Sequence, residues 1–468
     1  MTDQTPLRRN AKGIATALDV MRQQFGDRVQ TGAALRAQHA HTTTWLETQP
    51  PDAVFFPRET AEVQEVLRIC SDYGMPLVPF GTGTSLEGHV NAPLGGLSLD
   101  FAEMNKVLAV HPEDMDCVVQ PGITRKALNE ELRATGLFFP VDPGADASIG
   151  GMAATRASGT NAVRYGTMRD AVIAVEAVTA DGRVMRTAQR ASKTSAGYDL
   201  TRLLVGSEGT LAVITELTLR LHGIPEAVAA ATCSFPTVAE ACNAVIETIQ
   251  YGVPVARIEF LDVVSIRGIN AYSGLSLPEA PLLLLEFHGS EAGVAEQSET
   301  FGEIAAEHGA LTFDWTADAE ARTAMWQARH DAYWAMKSLR PGADVFVTDV
   351  CVPVSKLAEA VTASAEKAEA EGFVAPTVGH VGDGNFHVAL LIDPEDPAAR
   401  ARAEAYVGWL NDLAISLGGT CTGEHGIGQG KAKYLGRELG QTSLDMMAAV
   451  KQAMDPDNIL NPGKLFQA

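Results

Sequence analysis

Two histidines flank a glycine-rich turn in residues 378–387, and their imidazoles could bind one metal ion. Asp383 and Gly384 stand between two runs of strand-forming residues, which is a strong sequence signal for a β-hairpin. If these are the two loop residues, His380 lies directly opposite His387. Opposed residues share one face of a sheet, with Cβ atoms roughly 5 Å apart. The pattern therefore predicts a pair of imidazoles of the kind that zinc and neighbouring divalent ions bind.

A third ligand is expected from residues 423–426, where a carboxylate and an imidazole stand side by side between glycines. Either Glu424 or His425 could complete the site, and two imidazoles with one carboxylate would suit zinc, manganese or iron. The alternative is a polar loop whose histidines share no ligand.

Length and composition indicate a soluble globular protein of two or three domains. The chain has 468 residues, of which 46% are hydrophobic and 20% are charged. The net charge of −22 and the lack of a basic patch exclude nucleic acid as an expected partner. Anionic small molecules are not excluded, because a few local cations can outweigh the average charge.

The six cysteines are scattered and contain no Cys-x-x-Cys pair, which is typical of reduced thiols. The N-terminus lacks the apolar segment of a secretory signal, and no apolar run is long enough to cross a bilayer. We therefore expect a cytoplasmic protein without a transmembrane segment, which could still meet a membrane surface through a partner. The sequence does not indicate an oligomeric state.

The first half of the chain contains a loop that could bind a pyrophosphate. After N-terminal helices that include residues 11–25, a buried strand is predicted at residues 75–80, and it leads directly into residues 81–88. Glycines and hydroxyls in this loop offer backbone N–H groups and short donors to phosphate oxygens. Leu86 replaces the last glycine of the dinucleotide fingerprint, and no Walker lysine follows, so neither of those motifs is present.

Two further runs consist almost entirely of small residues. Residues 142–154, followed by 158–161, would let the backbone lie flat against a large planar ligand. Residues 206–210 form another small-residue turn between predicted strands. Beyond Pro225 the pattern changes, because helices rich in alanine and glutamate alternate with strand-like runs. That alternation, together with the hairpin, predicts antiparallel strands with helices on one side.

These segments together resemble the FAD-binding domain of the vanillyl-alcohol-oxidase (PCMH) type of flavoprotein. The resemblance rests on Phe80-Gly-Thr-Gly-Thr-Ser, on Asp142-Pro-Gly-Ala with Ser148-Ile-Gly-Gly, and on Gly206-Ser-Glu-Gly-Thr. It implies that the first loop holds the FAD pyrophosphate, the second runs beside the isoalloxazine and ribityl chain, and the third touches the adenine side. The FAD contacts that it implies are Gly81, Thr82, Gly83, Thr84, Ser85, Pro143, Ser148, Gly151, Ser158, Gly159, Glu208, Gly209 and Ile214. His89 does not match the covalent attachment site of some members, so non-covalent FAD is expected.

The second half resembles the C-terminal domain of FAD-linked D-2-hydroxyacid dehydrogenases, most of all the D-lactate dehydrogenase (cytochrome) branch. The matching motifs are Trp326-Gln-Ala-Arg-His, Thr348-Asp-Val-Cys-Val-Pro, His-x-Gly-Asp-Gly-Asn-x-His, and residues 419–428 and 455–464. This resemblance implies the role of each predicted site residue. The metal ligands would be His380, His387 and Glu424, the catalytic base His425, the substrate-carboxylate anchor Arg329, and the residue returning to the flavin Asn461.

The resemblance implies an α+β fold with a two-subdomain FAD-binding domain and an antiparallel-sheet cap domain with flanking helices. The expected divisions are 1–46 for N-terminal helices, 47–224 for FAD binding, 225–454 for substrate and metal, and 455–468 for the return to the flavin domain. The implied reaction is metal-assisted oxidation of a D-2-hydroxy acid to a 2-oxo acid. Hydride would pass from C2 to FAD, and electrons would continue to a cytochrome, a quinone or an electron-transfer flavoprotein.

D-Lactate is the favoured substrate. Relatives that act on D-2-hydroxyglutarate carry a lysine in a Tyr-Lys-Tyr-Asp stretch, whereas the matching region here is residues 344–349, with Phe346 near the expected place of that cation. A second carboxylate without a cation would be costly to bury. A glycolate-oxidising subunit is an alternative within the family. A more remote alternative is an FAD-dependent transferase of the alkylglycerone-phosphate synthase type.

Overall fold

The computed structural model describes residues 8–42 and 44–466, which contain both strands and helices. The strands, numbered along the chain, are β1 Val29–Gln30, β2 Ala53–Phe55, β3 Leu77–Phe80, β4 Leu97–Asp100, β5 Val107–His111, β6 Asp116–Val119, β7 Leu137–Phe138, β8 Val172–Val178, β9 Val184–Arg186, β10 Val213–Arg220, β11 His222–Gly223, β12 Ala227–Ser234, β13 Val255–Leu261, β14 Leu282–Gly289, β15 Thr312–Thr316, β16 Asp344–Val347, β17 Val350–Cys351, β18 Thr377–His380 and β19 Asn385–Ile392. The helices are α1 Ala11–Phe25, α2 Ala33–Gln38, α3 Thr60–Tyr73, α4 Arg125–Leu132, α5 Ile149–Thr155, α6 Ala162–Tyr165, α7 Met168–Ala171, α8 Leu200–Leu204, α9 Val238–Gln250, α10 Val263–Ser273, α11 Glu291–Glu307, α12 Ala319–His330, α13 Ala332–Ser338, α14 Leu357–Ala370, α15 Pro397–Ser416, α16 Leu435–Leu439 and α17 Gln441–Met454.

The described chain divides into two compact units. The first unit contains the chain up to Ser158, Gly166–Ile224 and the chain from Glu424 onward. The second unit contains Gly159–Tyr165 and Pro225–Gly423. Each unit therefore combines segments that are distant in sequence.

The first unit contains a mostly parallel sheet in the order β1-β2-β4-β3. Both β2 and β3 run parallel to β4, whereas β1 is antiparallel to β2. Helices α1 and α3 cover this sheet because their apolar residues recur at helical spacing, as Ile14, Leu18 and Met21 do in α1. The carboxyl end of β3 is the point from which the first glycine-rich loop leaves the sheet.

A second sheet in the same unit has the order β5-β6-β10-β8-β9 and is antiparallel throughout. Its core includes Val175, Leu217 and Leu219 on the strands and Met152 on α5. The short helix α5 thereby places the second small-residue segment against a rigid sheet.

The second unit is built on one antiparallel sheet with the strand order β15-β12-β14-β13-β18-β19-β16, and β17 pairs with β19 beside this path. Ile266 on α10, Trp326 on α12 and Ala335 on α13 share an apolar core with Leu261 and Leu284 of the sheet. The predicted α+β class is confirmed, because this unit combines an antiparallel sheet with flanking helices and the first unit also contains sheets and helices. Among the described residues, no helix combines the length and the apolar character that crossing a bilayer requires.

The hairpin that carries the paired histidines differs from the prediction in its turn. Instead of the two loop residues expected, a 3₁₀ helix at Val381–Asp383 and then Gly384 connect β18 to β19. Gly384 adopts a left-handed φ of 80°, and its N–H donates to the carbonyl oxygen of Val381 at 3.2 Å. The predicted register is therefore wrong. A turn whose residues have right-handed helical φ and ψ, and which ends in a left-handed glycine, needs more than two loop residues.

The change of register does not separate the two imidazoles. His380 lies opposite Asn385, and His387 lies opposite Val378, instead of the histidines facing each other directly. Side chains alternate between the faces of a sheet, so a shift of two residues leaves both histidines on the same face. Their ring centroids are 5.6 Å apart and their planes are nearly perpendicular at 82°.

The hairpin turn should depend on glycine at position 384. A methyl group there would lie 2.0 Å from the carbonyl oxygen of Val352, and φ is also left-handed. Gly274 has φ 65° but no atom within 4 Å of such a methyl group. We expect Gly274→Ala to lower the free energy of unfolding by about 1–2 kcal/mol through backbone strain alone. Gly384→Ala should cost more, because the turn must also move.

Urea unfolding, monitored by tryptophan fluorescence, measures the free energy of unfolding of both variants. This signal reports mainly on the second unit, to which four of the five tryptophans belong. Equal losses for the two variants would contradict the close packing of the turn against Val352.

Candidate active site

The first two small-residue loops of the first unit lie against each other. A methyl group added to Gly81, which directly follows β3, would lie 2.0 Å from Oγ of Ser148. Ser148 stands immediately before α5, and a methyl group on Gly151 of that helix would lie 3.0 Å from the same oxygen. A side chain at either glycine would displace the hydroxyl of Ser148, and the fold brings together two segments that the sequence suggested separately.

The third turn is attached to the end of α5. The N–H of Gly206 donates to the carbonyl oxygen of Ala153, and the N–H of Glu208 donates to that of Ala154. Gly209 adopts φ 70°, and a methyl group there would lie 2.9 Å from Pro79 of β3. All three loops therefore meet near the carboxyl end of one parallel strand, where ligands commonly bind in such sheets.

Two buried hydroxyls in these loops have no hydrogen-bond partner among residues 8–42 and 44–466, which the structure describes. The Oγ atoms of Ser85 and Ser148 are inaccessible to solvent and form no hydrogen bond. Ser148 occupies the position before the first residue of α5, yet its side chain does not cap that helix. Buried hydroxyls normally have partners, so these two are suited to donate to a bound molecule rich in acceptors. FAD, with its pyrophosphate and ribityl oxygens, fits this arrangement.

The other predicted FAD contacts belong to the first unit, except for Gly159. The hydroxyls of Thr82 and Thr84 are 3.4 Å apart in the first loop. Ile214 is buried on β10, beside the third turn. Most of the set belongs to the first unit, namely Gly81, Thr82, Gly83, Thr84, Ser85, Pro143, Ser148, Gly151, Ser158, Glu208, Gly209, Ile214 and Asn461. Gly159 is the first residue of the second unit.

Glu208 holds the backbone of the segment that follows His425, the predicted base. Its carboxylate accepts the N–H groups of Ile427 and Gly428 at 2.7 and 2.8 Å, and it lies 3.2 Å from Nε2 of His89. Burial opposes its ionisation, but His89 and the two backbone donors outweigh burial and lower the pKa of Glu208. Asn461 donates to the carbonyl oxygen of Glu208 at 2.7 Å, so the C-terminal segment is joined to the same cluster.

Lys464 is a buried cation near this cluster that the sequence did not single out. Its ammonium donates to the carbonyl oxygen of Asn91 at 2.7 Å and to the side chain of Asn461 at 3.2 Å. Burial lowers the pKa of Lys464 to about 7, although the carboxylate of Glu208 acts in the opposite direction.

His425 lies in a polar part of the first unit. Its Nδ1 is 3.8 Å from a carboxylate oxygen of Glu87, and the ammonium of Lys431 is 3.6 Å from the same oxygen. Glu87 and Lys431 are both buried, so the carboxylate beside His425 is itself paired with a buried ammonium. Glu87 is a second functional candidate that the sequence did not identify.

The paired histidines of the second unit both have Nδ1 engaged. Nδ1 of His380 is 2.6 Å from the carboxylate of Glu259, and Nδ1 of His387 is 3.0 Å from the carbonyl oxygen of Thr348. Because these oxygens can only accept, a neutral imidazole in either place carries its proton on Nδ1 and its lone pair on Nε2. Metal-binding histidines in proteins have this arrangement, with the second nitrogen donating to a carboxylate or a carbonyl.

Arg329, the predicted carboxylate anchor, shares the carboxylate of Glu259. Its Nε and Nη2 donate to one oxygen of Glu259 at 3.1 and 2.7 Å. Helix α12 carries Arg329, and it begins where Asp318 accepts the N–H of Ala321 at 2.8 Å. Burial alone would raise the pKa of Glu259, but His380 and Arg329 outweigh it and the pKa is lowered.

Asp349 binds Thr422 and Gly423, which directly precede Glu424, the third predicted ligand. It accepts the side chains of Asn385 and Thr422, each at 2.8 Å, and the N–H of Gly423 at 3.0 Å. Gly423 is the last residue of the second unit, and Glu424 is the next residue in the chain. The hairpin and residues 420–423 are thereby held together by one buried carboxylate.

Sequence reasoning missed Glu259 as well as Asp349. Both interrupt otherwise apolar strand-like runs, Glu259 between Ile258 and Phe260 and Asp349 between Thr348 and Val350. A carboxylate inside such a run is seldom buried without a partner, and this was the available signal.

Two family models together match most of the chain. The family model described as "FAD binding domain" matches residues 51–188, and the model described as "FAD linked oxidases, C-terminal domain" matches residues 224–465.

Several curated proteins are similar to this chain over most of its length. A probable mitochondrial D-lactate dehydrogenase from Danio rerio is 48% identical over 94% of this chain and 89% of that protein. A mitochondrial D-lactate dehydrogenase [cytochrome] from Arabidopsis thaliana is 49% identical over 89% of this chain and 73% of that protein. A glycolate oxidase subunit from Bacillus subtilis is 37% identical over 92% of each.

Solved structures with low sequence identity have the same fold. A 4-ethylphenol oxidase from Gulosibacter chungangensis superposes with a TM-score of 0.78 at 18% identity and covers 97% of both chains. An alkyldihydroxyacetonephosphate synthase superposes with a TM-score of 0.76 at 20% identity, covering 95% of this chain and 85% of the other.

Removing the hydroxyl of Ser148 should separate cofactor affinity from protein stability. Ser148→Ala deletes a hydroxyl that has no partner in the described part of the chain, so the stability of the apoprotein should hardly change. The dissociation constant for FAD should rise about tenfold, because one hydrogen bond to the cofactor is lost. Titration of apoprotein with FAD, followed by quenching of flavin fluorescence, measures this constant.

Ser298→Ala is the matched control. The hydroxyl of Ser298 donates to the carbonyl oxygen of Val294 at 2.8 Å in α11. This variant should lower stability slightly and leave FAD affinity unchanged. An unaltered FAD dissociation constant in Ser148→Ala would exclude Ser148 as a cofactor contact.

Proposed function

This chain belongs to the FAD-linked oxidases, and on that basis we propose that it oxidises a D-2-hydroxy acid, with D-lactate favoured, to the 2-oxo acid. The observation that carries the proposal is the polar group on one face of the second unit's sheet. There, the two imidazoles of His380 and His387 present Nε2 as the acceptor atom, and Glu259 joins His380 to Arg329. The guanidinium of Arg329 matches the carboxylate of a 2-hydroxy acid, and the two imidazoles match its hydroxyl.

FAD supplies the acceptor for the C2 hydride when it is bound. The contacts that we propose for it are the thirteen predicted residues from Gly81 to Ile214, together with Asn461. We propose that FAD is held without a covalent bond, since the imidazole of His89 lies 3.2 Å from Glu208 in a buried pair. The buried hydroxyls of Ser85 and Ser148 support this assignment because they lack other partners.

A divalent ion, with zinc or manganese favoured, supplies a Lewis acid that stabilises a developing alkoxide when it is bound. We propose His380, His387 and Glu424 as its ligands. The two imidazoles suit such an ion because a carboxylate and a carbonyl hold their Nδ1 atoms. Glu424 follows Gly423, whose N–H is held by Asp349, so its backbone starts from a fixed point.

Arg329 is proposed to bind the substrate carboxylate. Glu259 engages Nε and Nη2, and the planar guanidinium is therefore held in one orientation before substrate binds. A fixed, planar donor selects carboxylates and determines which face of C2 is presented. The side chain of Arg329 is 14% exposed, so an ion pair with substrate would be only weakly screened by solvent.

His425 is proposed to take the proton of the substrate hydroxyl. An imidazole is the usual general base near neutral pH, and proton removal makes C2 a better hydride donor. Glu87, 3.8 Å from Nδ1, would stabilise the imidazolium that forms, and Lys431 balances the charge of Glu87.

At the expected place of a cation for a second substrate carboxylate, the second unit has an apolar residue. Phe346 is buried on β16, where relatives acting on D-2-hydroxyglutarate have a lysine in the matching region. Arg257 is on the same strand as Glu259, but its guanidinium stacks on Trp326 at 4.7 Å and lies 3.5 Å from Glu286. A small substrate such as D-lactate is therefore favoured over D-2-hydroxyglutarate. The similarity to a glycolate oxidase subunit keeps glycolate as an alternative substrate.

A cytochrome is the proposed electron acceptor, because the names of similar plant and yeast proteins specify one. The net charge of −22 would favour docking of a basic partner of this kind. Quinone and electron-transfer flavoprotein are the alternatives. In the functional division that we propose, residues 47–224 bind FAD, 225–454 bind substrate and metal, and 455–468 return to the flavin.

Anaerobic mixing of the purified holoenzyme with candidate substrates tests the proposal. D-Lactate should bleach the visible flavin absorbance, and L-lactate should not. D-2-Hydroxyglutarate should react with a kcat/KM lower by about tenfold to a hundredfold, because burial of an unpaired carboxylate is costly. Faster reduction by glycolate would identify the alternative substrate. If no hydroxy acid reduces the flavin, the proposed oxidation is wrong and chemistry without net oxidation becomes the better explanation.

The same assay should identify the base. His425→Asn should slow flavin reduction by about 10²- to 10⁴-fold, the usual contribution of a general base. The control His222→Gln changes a histidine of β11 in the same unit and should behave like the parent enzyme.

Metal removal should abolish substrate oxidation without releasing the flavin. Dialysis against a chelator should leave the visible flavin absorbance intact, because the proposed FAD contacts include no metal ligand. Reduction by D-lactate should be lost and should return when zinc or manganese is added. Metal analysis that finds full activity at far less than one ion per chain would contradict the proposed metal site.

A further inference from the structure

Glu259 occupies the centre of the polar face on the second unit's sheet. It lies on β13 and is 0% exposed. One carboxylate oxygen is 2.6 Å from Nδ1 of His380, and the other accepts Nε and Nη2 of Arg329 at 3.1 and 2.7 Å. A single buried carboxylate therefore contacts a proposed metal ligand and the proposed substrate anchor.

Sheet geometry places these groups together without strain. In the pairing of β13 with β18, Phe260 lies opposite Gly379, so Glu259 is the neighbour of His380 across the strands. Arg329 approaches from α12, whose Trp326 and Ala328 pack into the apolar core beneath the same sheet. One oxygen of Glu259 accepts a hydrogen bond from His380 and the other accepts from Arg329, so both partners must be donors.

We propose that Glu259 is a positioning residue that fixes the metal-binding tautomer of His380 and the orientation of Arg329 at the same time. This inference rests on the proposed function. Because its carboxylate accepts the Nδ1 proton, His380 keeps its lone pair on Nε2 and becomes a stronger ligand. Because the same group holds two nitrogens of Arg329, the guanidinium is oriented for the substrate carboxylate. Metal affinity and substrate affinity are thereby coupled through one side chain.

An amide cannot replace this carboxylate. Glutamine has almost the same size but offers one acceptor and one donor, whereas Glu259 faces donors on both sides. If the amide nitrogen of glutamine faces His380, Nδ1 must accept and the proton moves to Nε2, where it blocks a metal. If it faces Arg329, donors oppose each other and the guanidinium must turn away.

A neighbouring strand provides a matched control. Glu286 on β14 is also buried, lies 2.8 Å from Nε2 of His288, and lies 3.5 Å from Arg257. Nδ1 of His288 is 2.7 Å from the hydroxyl of Tyr165, so both nitrogens of that imidazole have partners within the protein. Glu286 thus resembles Glu259 in burial and in its histidine and arginine partners, but its histidine is not a proposed ligand.

The experiment compares Glu259→Gln with Glu286→Gln in the full-length holoenzyme. Equilibrium dialysis against buffered zinc gives the metal dissociation constant, and anaerobic flavin reduction gives the dependence on D-lactate concentration. For Glu259→Gln we expect metal affinity to fall by about tenfold to a hundredfold, and the D-lactate concentration for half-maximal reduction to rise. FAD content should be unchanged. Glu286→Gln should keep the metal affinity of the parent enzyme.

Parental metal affinity in Glu259→Gln would overturn the proposal, and so would an equal loss in both variants, which would indicate a general effect of removing a buried charge. If Glu259→Gln does not fold, Glu259→Asp serves instead, because it keeps the charge but cannot reach both partners. It should show weaker metal binding, and parental affinity there would equally overturn the proposal. A parent enzyme that binds no zinc or manganese would refute the proposed metal site itself, which is a different outcome from failure of Glu259 alone.

Discussion

Buried carboxylates that are each held by several donors are the constraint on which the structure around the candidate site depends. Glu259 holds His380 and Arg329, and Asp349 holds the hairpin to residues 420–423. In the first unit, Glu208 holds the backbone of Ile427 and Gly428. A charge taken out of water must be compensated by nearby donors, so each carboxylate dictates the positions of the groups around it.

The same constraint explains why function and fold are difficult to separate in this protein. A carboxylate that positions an imidazole is also a buried ion pair, and removing it would expose unpaired donors in the interior. The loops near β3 follow the opposite principle. Among the residues that the structure describes, the hydroxyls of Ser85 and Ser148 have no hydrogen-bond partner, which suits them to a ligand rich in acceptors. Glu259, by contrast, is paired within the protein to His380 and Arg329.

The hairpin shows how a local error can leave a functional expectation intact. The Asp383-Gly384 pair indicated a turn, but the type of turn depends on how Val352 and its neighbours pack against Gly384. The register therefore moved by two residues. A shift of one residue would have sent His380 and His387 to opposite faces, whereas the period of two in a strand preserved their common face.

Residue types, spacing and turn signals in the sequence determined the α+β class, the glycine-rich loops and the pairing of His380 with His387 on one hairpin. These features follow from local backbone preference and from the alternation of side chains, which depend on neighbours in the chain. Tertiary structure alone decided that Gly81 meets Ser148, that Glu259 joins His380 to Arg329, and that Glu87 lies beside His425. Such contacts join residues far apart in sequence, and the pairing of a buried charge is fixed only when the strands and helices that carry its partners have packed.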